Sequence, residues 1–207
     1  MSCTRAERWF VALALPAALC VAGPVHPEVE QWSFRVYLDD RPIGQHIFQV
    51  QRAGDDLEVT TEARFDVKLL FITAYRYRHR ATESWRGNCL SRLDALTDDN
   101  GTQVSVRAEQ SGARFRVLSQ QGPLLAEGCV MSYAYWNPAI LRQSRLLNAQ
   151  TGLYEPVTIT LLGGEDLMVR GTSQRTLRYR ITGAKHPIDV WYGPGNIWVA
   201  LQSTLDG

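Results

Sequence analysis

The amino-acid sequence predicts an all-β protein, built as a strongly curved antiparallel sheet or incomplete β-barrel with one short α-helix. Three observations predict it. Apolar residues recur with a period of two over long stretches, turn signals break those stretches at hairpin spacing, and no run of crossover helices separates them. Alternation of this kind puts one face of each strand in a core and the other in water. Strands joined by tight turns make a meander, not a parallel sheet.

Along the chain, Trp32 to Leu38 is the first alternating strand, followed by the turn Asp39-Asp40-Arg41-Pro42. A second turn, Ala53-Gly54-Asp55-Asp56, introduces the clearest strand, Leu57 to Val67. Here Leu57, Val59, Ala63, Phe65 and Val67 share one face, while Glu58, Glu62, Arg64 and Asp66 share the other. From Tyr75 to Trp85 the residues Tyr75, Tyr77, His79, Ala81 and Trp85 oppose Arg76, Arg78, Arg80, Thr82 and Ser84. Asp98-Asp99-Asn100-Gly101 is the strongest turn, because a type I′ hairpin needs positive φ at both central residues. Val104 to Ala108 follows, then a turn at Ser111-Gly112. Asn137 as N-cap and Pro138 at the first helical position predict the one helix, running through Ile140, Leu141 and Leu147 to about Asn148 and covering an open end of the sheet. Gly163-Gly164 reads as a turn, Leu177 to Ile181 as a strand, Gly193-Pro194-Gly195 as a turn and Ile197 to Leu201 as a last strand. With no internal repeat or linker, residues 28–207 read as a single β domain.

Composition narrows the class of job. The chain has 207 residues, 45% of them hydrophobic and 10% aromatic, which excludes a disordered protein. A formal charge of +1 weighs against nucleic acid as a partner, since phosphate neutralisation needs a basic excess.

Residues 1–22 read as a secretory signal: Arg5 and Arg8 precede an uncharged run from Trp9 to Ala22, with small residues and Pro24 beyond. The run is too short to span a membrane and contains Pro16, so the mature chain has no expected transmembrane segment. Lipidation at Cys20 is the minor alternative, disfavoured by the bulky Leu19 before it. Removing residues 1–22 takes Arg5, Arg8 and Glu7, leaving 20 side chains of each sign. It also takes Cys3 and Cys20, and the remaining pair, Cys89 and Cys129, is expected to form a disulfide in an exported chain. A Cys89/His79 nucleophile is the alternative, but no Cys-x-x-Cys spacing or activating neighbour supports it.

Motifs for catalysis are absent from the sequence. The acid pairs Asp39/Asp40, Asp55/Asp56, Asp98/Asp99 and Glu165/Asp166 all fall in expected turns, where Asp bonds its own backbone. Asp98-Asp99-Asn100-Gly101 fails as a calcium loop because Leu96 would occupy the first ligand position. His46, His79 and His186 lack metal-ligand spacing, and no cofactor fingerprint occurs. Arg76, Arg78 and Arg80 form a basic stripe on one strand face, either a contact for anionic lipid head groups, polysaccharide or phosphate or, as the favoured alternative, a solvated outer face balanced by neighbouring Glu and Asp. The aromatic surplus is the more informative feature. Tyr75, Tyr77, His79, Trp85, Trp136, Trp191 and Trp198 are the candidate ligand-binding residues, lining a concave face that takes a lipid or other hydrophobic small molecule, or an envelope protein. The bland alternative is that they fill a thick core.

Three stretches carry a resemblance: Trp32 to His46, Phe65 to Ile72 with Tyr75 to His79, and Cys89-Leu90. Tyr135-Trp-Asn-Pro138, Leu147 to Gly152 and Tyr192 to Asn196 extend it. On these the chain resembles an uncharacterised family of exported bacterial proteins, the domain of unknown function numbered six-one-three-four. That family is distantly similar to a larger group of periplasmic β-proteins of unknown function. The resemblance implies a periplasmic all-β protein and brings no catalytic residue with it. Envelope proteins of curved-sheet type include open half-barrel lipoprotein carriers, an analogy of fold that does not establish function.

The expectation is therefore a periplasmic, non-catalytic envelope protein without cofactor or metal, binding a hydrophobic ligand or partner protein on its aromatic face. An enzyme of unidentified class and a purely structural or assembly factor are the alternatives. Leu205-Asp-Gly207 ends on a hairpin signal, so a further strand is expected beyond it, with Ile197 to Leu201 left as an edge.

Overall fold

A computed structural model describes residues 28–69 and 72–203. The expected signal segment, Cys3, Cys20 and the Leu205-Asp-Gly207 end all lie outside the described residues.

Eight strands follow one another as an antiparallel meander: β1 (Glu28–Leu38), β2 (Arg41–Ala53), β3 (Asp56–Leu69), β4 (Ile72–Arg86), β5 (Cys89–Asp99), β6 (Thr102–Ser111), β7 (Arg114–Ser119) and β8 (Gly122–Glu127). A small pair, β9 (Arg145–Leu147) and β10 (Tyr154–Pro156), comes next. A second meander of four strands closes the described chain: β11 (Thr158–Val169), β12 (Thr172–Thr182), β13 (Ile188–Tyr192) and β14 (Trp198–Ser203). The all-β class, the antiparallel order and the strong curvature agree with the sequence reading.

Local chemistry explains the joints. Asn100 (φ 52°) and Gly101 (φ 94°) both adopt the left-handed conformation of a type I′ turn, and the amide of Gly101 donates to Asp98 Oδ1 at 2.7 Å. Register shifts between Val36 and Tyr37, Val67 and Lys68, and Ser84 and Trp85 mark bulges that bend the long strands.

Two local readings need correction. Gly163-Gly164 is not a turn: both residues lie inside β11, where the ladder shifts register between Leu161 and Gly163. Glu165 and Asp166 are likewise strand residues, and the reversal comes later, where Arg170 (φ 51°) and Gly171 (φ 81°) make the hairpin. The expected α-helix is a single 3-10 turn, Pro138–Arg142. Asn137 caps it as expected, accepting from the amide of Ala139 at 3.0 Å. The helix does not propagate because Arg145 to Leu147 are taken by pairing with β10 instead.

The outward face of β4 carries the basic stripe. Arg78 bonds both oxygens of Asp66, at 2.9 and 2.8 Å, while Arg76 and Arg80 lie 3.6 and 3.7 Å from Asp66 and Glu62. The stripe is thus answered across the ladder by β3, each exposed pair contributing at most about 1 kcal/mol.

Between the sheets, Val50, Val59, Trp85, Leu93, Val106, Phe115 and Val117 from the first meander meet Ile181, Val190, Tyr192 and Trp198 from the second in one buried cluster. Residues 130–147 complete it, contributing Val130, Met131, Trp136, Ile140, Leu146 and Leu147. Burial of side chains of this size contributes about 1.5–3 kcal/mol each.

Candidate functional site

The period of two turns alternate residues of β2 to β5 into the concave face, and antiparallel register lines them up in rows. Phe65 and Tyr77 stand opposite one another at one end. The next row is His46, Ala63, His79 and Thr97, then Phe48, Thr61, Ala81 and Ala95, then Val50, Val59, Glu83 and Leu93. Leu57, Trp85 and Leu90 form the row at the far end.

Aromatic rings tie these rows to the second meander. Trp198 lies 4.3 Å from Phe34, 5.0 Å from Phe48 and 5.4 Å from Tyr135, centroid to centroid. Phe65 stacks on Tyr77 at 5.1 Å, and His46 lies 4.2 Å from Phe48. At the far end Trp85 meets Trp136 edge to face at 5.4 Å.

That far end is clasped shut. Cys89 and Cys129 are disulfide-bonded, Leu90 N donates to Val130 O at 2.8 Å, and Asn137 Nδ2 donates to Asn88 Oδ1 at 3.0 Å. The bond matches the expected pairing and is one that an oxidising compartment preserves. At the opposite end Phe34, Phe65 and Tyr75 are only part-buried, so among the described residues the aromatic layer has one closed end and one open end.

Of the seven candidate ligand residues, Tyr75, Tyr77 and His79 sit together toward the open end of β4. Trp85 and Trp136 lie at the closed end, eight residues along β4 from Tyr77, or about 27 Å at the rise of an extended strand. Trp198 bridges the sheets. Trp191 is not with them: it points to the other face of β13, where Arg178 lies 4.9 Å over its ring and its Nε1 donates to Glu165 at 2.7 Å. Apart from Tyr75, all of them are buried, Tyr77 the most exposed at 9%. The layer is therefore a packed interior over most of its length.

Two polar features interrupt it. Burial and the neighbouring His79 push the His46 imidazole down to about 3, and burial pushes His79 down to about 4. His79 Nδ1 shares a 2.9 Å hydrogen bond with Thr97 Oγ1, while the buried Nε2 of His46 has no hydrogen-bond partner. Both rings are neutral near pH 7. The second feature is Glu83, buried in the apolar row and raised by burial to about 7, opposed by bonds from Ser132 and Trp85. The sequence held the signal for Glu83: it is the one position between Ala81 and Trp85 with inward parity, and alternation alone places its carboxyl in the core.

On the outer face of the second meander, the buried Asp189 accepts from Arg180 at 2.7 and 2.8 Å and from Arg178. Those bonds, that of Arg180 foremost, hold its carboxyl down to about 2. Among the described residues no group of three or more His, Cys, Asp or Glu is placed to hold a metal ion. A hollow of about 670 Å³ by Leu38, Arg41, Ile43, Asp66 and Lys68 includes none of the aromatic layer in its walls. No helix among the described residues is long and apolar enough to cross a membrane.

Two curved antiparallel meanders closed around an aromatic interior define a β-barrel-like protein. The chain belongs to the family described as a domain of unknown function (DUF6134), which it matches over residues 34–207. No curated protein matches it. Among solved structures it is similar to the beta-barrel-like protein of domain of unknown function DUF1849 from Brucella abortus, with a TM-score of 0.58 and 9% identity over 87% of this chain and 92% of that one. At that identity the likeness concerns the fold alone.

Proposed function

We propose that this is a non-catalytic protein of the bacterial periplasm that binds a hydrophobic ligand at the open end of its aromatic layer. The observation that carries the reading is the asymmetry of that layer. One end is sealed by residues 130–147 under the Cys89–Cys129 clasp, whereas Phe34, Phe65 and Tyr75 remain part-exposed at the other. A ligand lying along the whole concave face would have to displace Val130, Met131, Ile140, Leu146 and Leu147, all essentially fully buried. At about 1.5–3 kcal/mol per side chain that is too costly for a reversible site. Binding confined to the open end avoids it.

The histidines support a non-catalytic role. His79 is bonded to a threonine hydroxyl, and both imidazoles are held neutral well below the range in which a general base works.

The test is native mass spectrometry of the purified chain for co-purifying lipid, together with titration by an apolar fluorescent probe. Saturable probe binding that weakens in Phe65→Ala and Tyr75→Ala, but not in Trp191→Phe, is the expected result. No bound lipid and no saturable probe binding would leave a structural or assembly role in its place.

A further inference from the structure

Among the described residues two acids are buried, Asp189 and Glu83, and they are treated differently. Asp189 is met by two guanidinium groups. Glu83 is met by none. Its neighbours on β4 are Ala81 and Trp85, and across the ladders it faces Val59 of β3 and Leu93 of β5, all of them buried. From the segment above it comes Ser132, whose hydroxyl bonds the carboxyl, while Trp85 Nε1 donates to Oε2 at 3.0 Å. No cation or second acid from β3, β4, β5 or the overlying segment acts on it.

These contacts place Glu83 at a junction. Ser132 bridges to Leu147, so its bond reaches both ends of the segment that fills the concave face. Trp85, held through its indole nitrogen, is the surface on which Trp136 packs. β4 is fixed by ladders on both sides, whereas the segment meets the first meander through packing, the clasp at its start and the Leu90 N to Val130 O bond, its own ladder at Arg145–Leu147 running to β10.

We propose that Glu83 is a proton-linked latch between the curved sheet and residues 130–147: protonated, it seats the segment, and ionised, it loosens it. The neutral acid can donate one bond and accept another in this apolar row. On losing its proton to solvent the carboxylate needs water, which reaches it only where sheet and segment part. The burial that keeps the proton on up to about pH 7 accords with this. The latch acts at the closed end and is independent of the ligand reading above.

Hydrogen exchange of the full chain between about pH 4.5 and about pH 9, read as protection factors, tests it. In the wild type, protection across 130–147 should fall by up to about tenfold per pH unit from the ordinary carboxylate range up to about pH 7 and level off above it, with β3 and β5 unchanged. Glu83→Gln, which keeps an acceptor for Trp85 and can bond Ser132, should give a flat profile. An equal fall in both proteins, or none in the wild type, overturns the latch. Infrared spectroscopy needs no variant: a protonated carboxyl band should persist in the wild type at about pH 6, where ordinary side chains have ionised, and vanish by about pH 9. Its absence at about pH 6 overturns the proposal equally.

Discussion

The indole of Trp198 on β14 packs 4.3 Å from the ring of Phe34 on β1, although among the described residues β1 ladders only with β2 and β14 only with β13. The two meanders therefore meet here through rings and not through backbone hydrogen bonds. Trp198 also touches Phe48 and Tyr135, so one side chain joins both meanders and the segment between them.

Trp198→Ala should accordingly cost about 3–5 kcal/mol, the range for emptying a buried aromatic site, with Trp198→Phe costing clearly less. Urea unfolding of both variants measures it. A loss below about 1 kcal/mol for the alanine variant would mean that the meanders are held together elsewhere.

Cys129→Ser opens a covalent loop spanning 40 positions of sequence separation. A stability loss of about 2–4 kcal/mol is expected, read as a shift of the denaturation midpoint under non-reducing conditions. Peptide mapping of the wild type without reductant should recover Cys89 and Cys129 in one linked species, and two free thiols would refute the clasp.

His46 and His79 set the acid limb of stability. Their folded values, about 3 and about 4, lie below the ordinary 6.5, so the unfolded chain binds more protons as pH falls. Their contribution is complete above about pH 6.5 and is lost as pH drops through that value towards 4 and 3, by up to about 1.4 kcal/mol per pH unit for each ring. His46→Phe, placed among Phe48 and Phe65, should make this limb shallower in a stability titration from about pH 7 to about pH 4. Superimposable curves would show that the rings do not control it.

Gly44 is demanded by a close approach and not by its backbone angles. A Cβ there would fall 1.9 Å from the carbonyl oxygen of Arg64 on the paired strand. Since the obstacle is backbone within the β2–β3 ladder, Gly44→Ala can be relieved only by parting the strands, at a cost of about 1–3 kcal/mol or more. Increased hydrogen exchange confined to residues 41–47 and 62–67 is the expected signature, and unchanged exchange there would contradict it.

The legibility of the chain varied with how local the deciding interaction is. Leu57 to Val67 could be read outright, because parity alone sorts its residues and the ladder adds nothing to that choice. Asn100-Gly101 was equally plain, since the turn is a property of two adjacent residues. Gly163-Gly164 misled for the same reason: glycine pairs signal turns, but here the ladder to β12 continues past a bulge and the reversal is deferred to Arg170-Gly171. Arg145 to Leu147 carried a helical start signal at Asn137, yet pairing with Tyr154 to Pro156 took them. The aromatic residues were visible as a surplus, but not their division: Trp191 and Tyr192 are neighbours in sequence, and parity sends one to Arg178 and the other to the interior.

By itself, the sequence determined the β class, the meander, the inward parity of the long strands and the Cys89–Cys129 pairing, because each follows from period, turn chemistry or an even cysteine count. Only the tertiary structure decided that residues 130–147 fill the concave face and that, among the described residues, Glu83 has no cation beside it and the aromatic layer is part-exposed at one end. Those outcomes depend on which distant residues share a layer. Side-chain period states which face a residue takes, and not what the rest of the chain brings to meet it.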